Sequence, residues 1–172
     1  MSIFLFLQPH CFSSTDRVGE VPVETKKIGR DWIVAPFAYD QKSMNVAGAL
    51  IDLKKAVDSY PPGQSGIDAG GFKVISVRAP NTPDDVGYLY AQFESGSGYI
   101  DDLEFAALNG VVNVRTSSRL GYADFGVNAK RYNYFAKKMG SYKGWTTTPL
   151  RKKDHLEYFD LNDLSSDKDL GL

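Results

Sequence analysis

Asp102, Glu104, Arg115, Ser117 and Arg119 are the residues whose types and spacing could do chemistry. They flank Asn109-Gly110, the dipeptide best suited to a two-residue type I′ hairpin turn, in which both residues need positive φ. Such a turn sets Leu108 opposite Val111, and the remaining pairs follow. Glu104 then faces Arg115, Asp102 faces Ser117, and Ile100 faces Arg119. Directly opposed Cβ atoms are about 5 Å apart and diagonal ones about 7–8 Å, so Asp102 can reach Arg115 or Arg119 diagonally. The other face of the same hairpin carries Leu103, Phe105, Ala107, Val112, Val114 and Thr116, and is expected to meet the core. Three uses of the polar face compete. The first is a structural ion-pair ladder, each pair contributing about 0.2–1 kcal/mol. The second is a site for a small anionic or zwitterionic ligand, because arginine forks suit carboxylate and phosphate. The third is acid–base catalysis by the carboxylates. With no histidine or lysine in the strand pair and every charge matched, the structural use ranks first and catalysis last.

The elements that must position this hairpin are legible around it. Trp32–Pro36 reads as a short strand, ended or edged by Pro36. Val46, Ala49, Leu50, Leu53 and Val57 recur at helical spacing, which predicts a helix over 44–59 stopped by Pro61-Pro62-Gly63. Strands are expected over Phe72–Val77, Val86–Phe93, Tyr99–Leu108 and Val111–Leu120. A second helix is expected over 126–139, with Phe125, Ala129, Tyr132, Phe135, Ala136 and Met139 on one face. Lys130, Arg131, Tyr134, Lys137 and Lys138 are assigned to the other, and Gly140 is the stop. The expected fold is α+β, an antiparallel sheet of four to five strands with two helices on one face, in the order β-α-β-β-β-β-α. Residues 1–30 read as an irregular arm, 31–145 as a single domain, and 146–172 as a polar tail with a short amphipathic piece near 155–164. The apolar start, Met1–Leu7, is too short for a spanning helix or a secretory signal and reads as a strand or packed arm.

Composition supports one globular domain. The chain has 172 residues, 42% of them hydrophobic and 24% charged, and a domain of about 150 residues buries enough surface to need no staples. The net charge of −1 hides a segregation. Between Phe125 and Lys153 there is no acidic residue but eight basic ones, leaving twelve basic against twenty-one acidic residues (−9) elsewhere. Lys130, Arg131, Lys137, Lys138 and Lys143, with Trp145, are therefore candidates for a docking surface toward an acidic protein or a membrane interface. The ordinary alternative is a solvated helix face. Nucleic acid is not an expected partner, since the pI is about 6.1 and no nucleic-acid fold signature is present.

No phosphate loop, nucleophile elbow, zincin motif or cysteine pair occurs. His10 and His155, the only histidines, lie too far apart in sequence to suggest a metal site. Cys11 is the lone cysteine and reads as an inert thiol. No catalytic residue, metal or cofactor is expected.

The same hairpin carries a resemblance. Tyr99-Ile-Asp-Asp-Leu-Glu-Phe105, Asn113-Val-Arg-Thr-Ser-Ser-Arg-Leu-Gly121 and Asp124-Phe-Gly-Val-Asn-Ala-Lys-Arg131, with Pro9-His-Cys-Phe-Ser-Ser14, are similar to the hallmark runs of domain-of-unknown-function family 1499. The likeness spans about residues 9–139. His10 departs from the usual asparagine, Leu5 stands where many members have a cysteine, and Ala123 replaces a serine, leaving Asp124 or Asn128 to cap the second helix. The resemblance implies no assigned activity. It implies a plastid, thylakoid-associated setting for a eukaryotic member and a cell-envelope setting otherwise. The leading expectation is a non-catalytic accessory protein on a larger, membrane-bound assembly. A small-ligand-binding domain using the Asp102/Glu104/Arg115/Arg119 face comes second, and an enzyme of unknown type third.

Overall fold

The computed structural model describes residues 34–120 and 123–172, together with the backbone of Phe4 and Leu5. Among the described residues the strands are β1 (Phe4–Leu5), β2 (Phe37–Tyr39), β3 (Gly71–Arg78), β4 (Gly87–Glu94), β5 (Ile100–Leu108), β6 (Val111–Ser118) and β7 (Trp145–Thr146). Its helices are α1 (Val46–Asp58), α2 (Val127–Gly140) and the short α3 (Leu156–Leu161). The sheet runs β3-β4-β5-β6-β2-β7, with β1 also on β6, and every pairing is antiparallel. The fold is α+β as expected, with two or three more strands than the four to five predicted. β1 and β7 have two residues each; β1 falls in the apolar start read as a strand or packed arm, and β7 leaves no periodic signal to read.

Of the strand expected over Trp32–Pro36, Trp32 and Ile33 lie outside the described residues and 34–36 are not in a strand. Pairing in this region is seen at Phe37–Tyr39, after Pro36, which has no N–H to give to a ladder. Phe37 and Tyr39 are buried and Ala38 is exposed, the alternation of a half-buried strand. The arm read over 1–30 lies outside the described residues, apart from Phe4–Leu5.

α1 forms where the period placed it. Asn45 caps it by accepting the Gly48 N–H at 2.9 Å, and Val46, Ala49, Leu50, Leu53, Ala56 and Val57 make its buried stripe. α2 buries Asn128, Ala129, Arg131, Tyr132, Phe135, Ala136 and Met139. Both stripes meet Leu89, Ala91, Phe93, Leu103, Phe105, Val112 and Val114 of the sheet in one core. Leu150, Tyr158, Phe159 and Leu170 belong to the same core, so the polar segment after 146 packs on the domain through four apolar side chains.

The hairpin has its expected register. Asn109 and Gly110 take φ of 48° and 81°, and the pairs Glu104–Arg115, Asp102–Ser117, Leu103–Thr116 and Leu108–Val111 form.

Candidate functional site

The outer face of β4, β5 and β6 holds the polar residues singled out from the sequence. Arg115 is salt-bridged to Glu104. Arg119 forks onto Asp102, with Nε 3.1 Å from Oδ2 and Nη2 2.8 Å from Oδ1. The cross-strand diagonal thus selects Arg119 for Asp102 and the direct pair selects Arg115 for Glu104. Ser117 stands opposite Asp102 as predicted but is buried, 2% exposed.

β4 adds residues that the hairpin alone did not reveal. Tyr88 donates its hydroxyl to Glu104 and Tyr90 donates to Asp102, each at 2.6 Å. Gln92 Nε2 and Arg119 Nη2 donate to the Tyr90 oxygen at 2.7 and 2.9 Å. Tyr90 is the direct partner of Glu104 in the ladder, so reaching Asp102 requires its ring to lean along the sheet rather than stand off it. The Tyr-x-Tyr-x-Gln alternation of 88–92 was the available signal, since period two puts all three side chains on one face. The result is two neighbouring tyrosine–carboxylate–arginine units.

Burial alone would raise the Asp102 carboxyl. The hydrogen bonds from Arg119 and Tyr90 outweigh it and hold the group below its ordinary value. Burial first, and then the hydrogen bond to Glu104, push the Tyr88 hydroxyl well above its ordinary value, so it stays a neutral donor. The face is charge-matched and half-open, with 46% of the Arg119 side chain and 27% of the Arg115 side chain exposed. Pairs at that exposure contribute little. Arg115→Ala is therefore expected to cost about 1 kcal/mol or less in urea unfolding, because Glu104 keeps the Tyr88 hydroxyl and solvent. A loss above about 3 kcal/mol would assign the cluster to holding the fold.

A second polar constellation lies on the core side and went unseen in the sequence. Arg131 is fully buried. Its guanidinium grips Asp68 through Nε at 3.0 Å and Nη2 at 2.5 Å. It also meets Asp101 at 2.9 Å, Asn128 at 2.8 Å and Thr116 at 3.1 Å, and lies 4.9 Å from the centre of the Phe93 ring. Tyr60 donates to Asp68 at 2.6 Å. Asn128 joins Thr116 to Ser118. Asp124 accepts from the Gly126 and Asn128 N–H groups at 3.1 and 3.0 Å, capping the start of α2. Asp101, Thr116, Ser118, Asp124, Asn128 and Arg131 all come from the hallmark runs. One set of motifs thus divides between an outer polar face and an inner hub.

The expected docking surface needs two corrections. Arg131 is not on an outward helix face, because it lies in the Asn128/Arg131/Tyr132/Phe135 stripe and finds two buried carboxylates there. Trp145 is 6% exposed; its ring packs on Tyr39 and its Nε1 donates to Asp52 at 3.1 Å. Lys137 and Lys143 are exposed, and Lys130 and Lys138 are half-buried. Arg151, Lys152 and Lys153 pair with or donate to Asp167, Ser165 and Asp154 within the C-terminal segment.

Among the described residues no group of three His, Cys, Asp or Glu side chains could hold a metal ion, and no helix is long and apolar enough to cross a membrane. His155 is buried, and His10 and Cys11 lie outside the described residues. A family model described as "Protein of unknown function (DUF1499)" matches residues 6–139. No curated protein and no solved structure matches the chain.

Proposed function

The chain belongs to the DUF1499 family, and from that premise we propose that it is a non-catalytic accessory protein that docks on a larger assembly through the outer face of its sheet. The observation that carries this reading is the pair of tyrosine–carboxylate–arginine units, half-exposed and already assembled. Tyrosine and arginine are the side chains enriched where interfaces concentrate their energy. Holding them in fixed geometry before contact reduces the ordering cost of binding. A small free anion is a poorer fit, because each arginine already engages a carboxylate. An incoming anion would have to displace that carboxylate and then lie beside it.

A second reading is peripheral contact with an anionic, membrane-bound assembly through α2 and the turn after it. It is supported by exposed Lys137 and Lys143 and by Lys138, whose Nζ lies 6.0 Å from the centre of the Tyr142 ring. The setting that the family resemblance implies is thylakoid-associated in a plastid for a eukaryotic member and the cell envelope otherwise.

One comparison separates the two readings. Tagged chain is purified under native conditions from its source, and the fraction co-migrating with a larger assembly is measured for two double variants, Arg115→Glu with Arg119→Glu and Lys137→Glu with Lys138→Glu. Thermal melts establish that each variant is folded. The sheet-face reading expects the arginine variant to lose co-migration at least tenfold and the lysine variant to keep it. The reverse pattern, with release by raised salt, assigns docking to the lysines, whose exposed charges are screened beyond about 8 Å at physiological ionic strength.

A further inference from the structure

The match to the family ends at residue 139, and the segment beyond it seats itself on the family's own hallmark turn. Residues 151–170 are closed largely by bonds among themselves. The Lys152 N–H donates to Asp167 at 2.6 Å, and Arg151 meets the same carboxylate at 3.4 Å. Lys152 Nζ donates to the Ser165 carbonyl at 2.9 Å and stands 5.9 Å from the centre of the Phe159 ring. Asp169 accepts the Ser165 and Ser166 N–H groups at 2.7 and 2.8 Å. Lys152 and Arg151 thereby join the start of the unit to its end, so its shape is set locally.

This unit docks on the start of α2. Tyr158 donates to Asp124 at 2.9 Å. Asn162 Oδ1 accepts the Asp124 N–H at 2.9 Å. Gly126 has φ +77°, and a Cβ there would lie 3.1–3.2 Å from methyl carbons of Leu164 and Leu170, so a side chain at this position would press on both leucines. Asp124 and Gly126 both come from the hallmark run. Tyr158 and Phe159 are fully buried, and Leu170 is 2% exposed.

We infer that residues 151–170 are an intramolecular ligand, and that the Asp124–Asn128 turn is a groove for a short helix bearing Tyr-Phe-x-x-Asn followed by leucines. A partner helix of that chemistry would compete for the groove in trans. The physical basis is preorganisation. A unit closed by its own bonds loses little conformational freedom on docking, and a groove that already holds an acceptor, a donor and a side-chain-free glycine needs little rearrangement.

The test keeps the full chain. A protease site is inserted after Thr148, which is exposed, and the folded protein is cleaved there. A fluorescent peptide of residues 149–172 is then added. The expected result is saturable exchange of the peptide for the cleaved segment while the circular dichroism of the domain is unchanged. Peptides carrying Tyr158→Phe or Asn162→Ala should bind about tenfold more weakly, since each loses one buried hydrogen bond to Asp124. Two results would overturn the inference. One is release of the segment only together with unfolding of the domain, which would make it an inseparable part of the core. The other is a folded, cleaved domain that takes up no peptide, or takes up all three equally.

Discussion

Arg131→Met is expected to destabilise the protein by about 3–5 kcal/mol, a large share of the roughly 5–15 kcal/mol that holds a domain of this kind. The reason is what the substitution leaves behind. Asp68 and Asp101 face Arg131 from the Gln64–Gly71 region and β5, with side chains 1% and 11% exposed. Without the guanidinium, two carboxylates lose their counter-charge inside the fold. Urea unfolding measures the loss. A triple variant, Arg131→Met with Asp68→Asn and Asp101→Asn, should recover part of it, because removing both signs together costs less than orphaning one. A loss below about 1 kcal/mol for Arg131→Met is what an arginine on a solvated helix face would give, and it would contradict the buried hub.

Asp124→Ala is the second large effect, expected at about 2–4 kcal/mol. Three donors lose their acceptor at once: the Gly126 and Asn128 N–H groups at the start of α2, and the fully buried Tyr158 hydroxyl. Burial first, then the negative Asp124 beside it, push the Tyr158 hydroxyl well above its ordinary value, so it stays a donor at neutral pH. Asp124→Asn keeps one acceptor oxygen and should lose about half as much. If Ala and Asn cost the same, the carboxylate is not acting through its hydrogen bonds. Urea unfolding of the two variants decides.

The two constellations differ in how far the sequence revealed them, and the difference is physical. The outer cluster follows from one turn. Asn109-Gly110 restricts the hairpin to one register, and period two then assigns every side chain to a face. The same register puts Asp101 on the core side, because it shares a face with Leu103 and Phe105. A carboxylate placed there demands a partner, and that demand was the signal for a buried cation. Arg131 was assigned outward on its charge, although it sits three residues after Asn128 and four before Phe135, within the stripe that α2 buries. Residue type misled here, and at the other end of the stripe the period ran too far: Phe125, expected on the buried face, precedes the first helical residue and is 73% exposed. Asp68 had no local signal at all, since it reaches Arg131 across 63 positions of sequence. The burial of Trp145 and Leu150 has no periodic signal for another reason. β7 has two residues, too few for a period to show, whereas α3 at Leu156–Leu161 falls within the amphipathic piece expected near 155–164.

A partner docked on the outer face of the sheet would lie within reach of side chains on that face and out of reach of the exposed side of α1. Ser76 and Asn113 lie on that face, opposite Tyr90 and Ala106 in the ladders, while Ile51 is an exposed position on α1, 56% accessible. A photo-crosslinking amino acid is placed at each of the three sites in turn, and the protein is irradiated in native extract of its source. One discrete crosslinked species is expected from Ser76 and Asn113, lost when Arg119→Glu is added, and none from Ile51. Crosslinks from Ile51 alone, or crosslinks from Ser76 and Asn113 indifferent to Arg119→Glu, would contradict docking on the outer face.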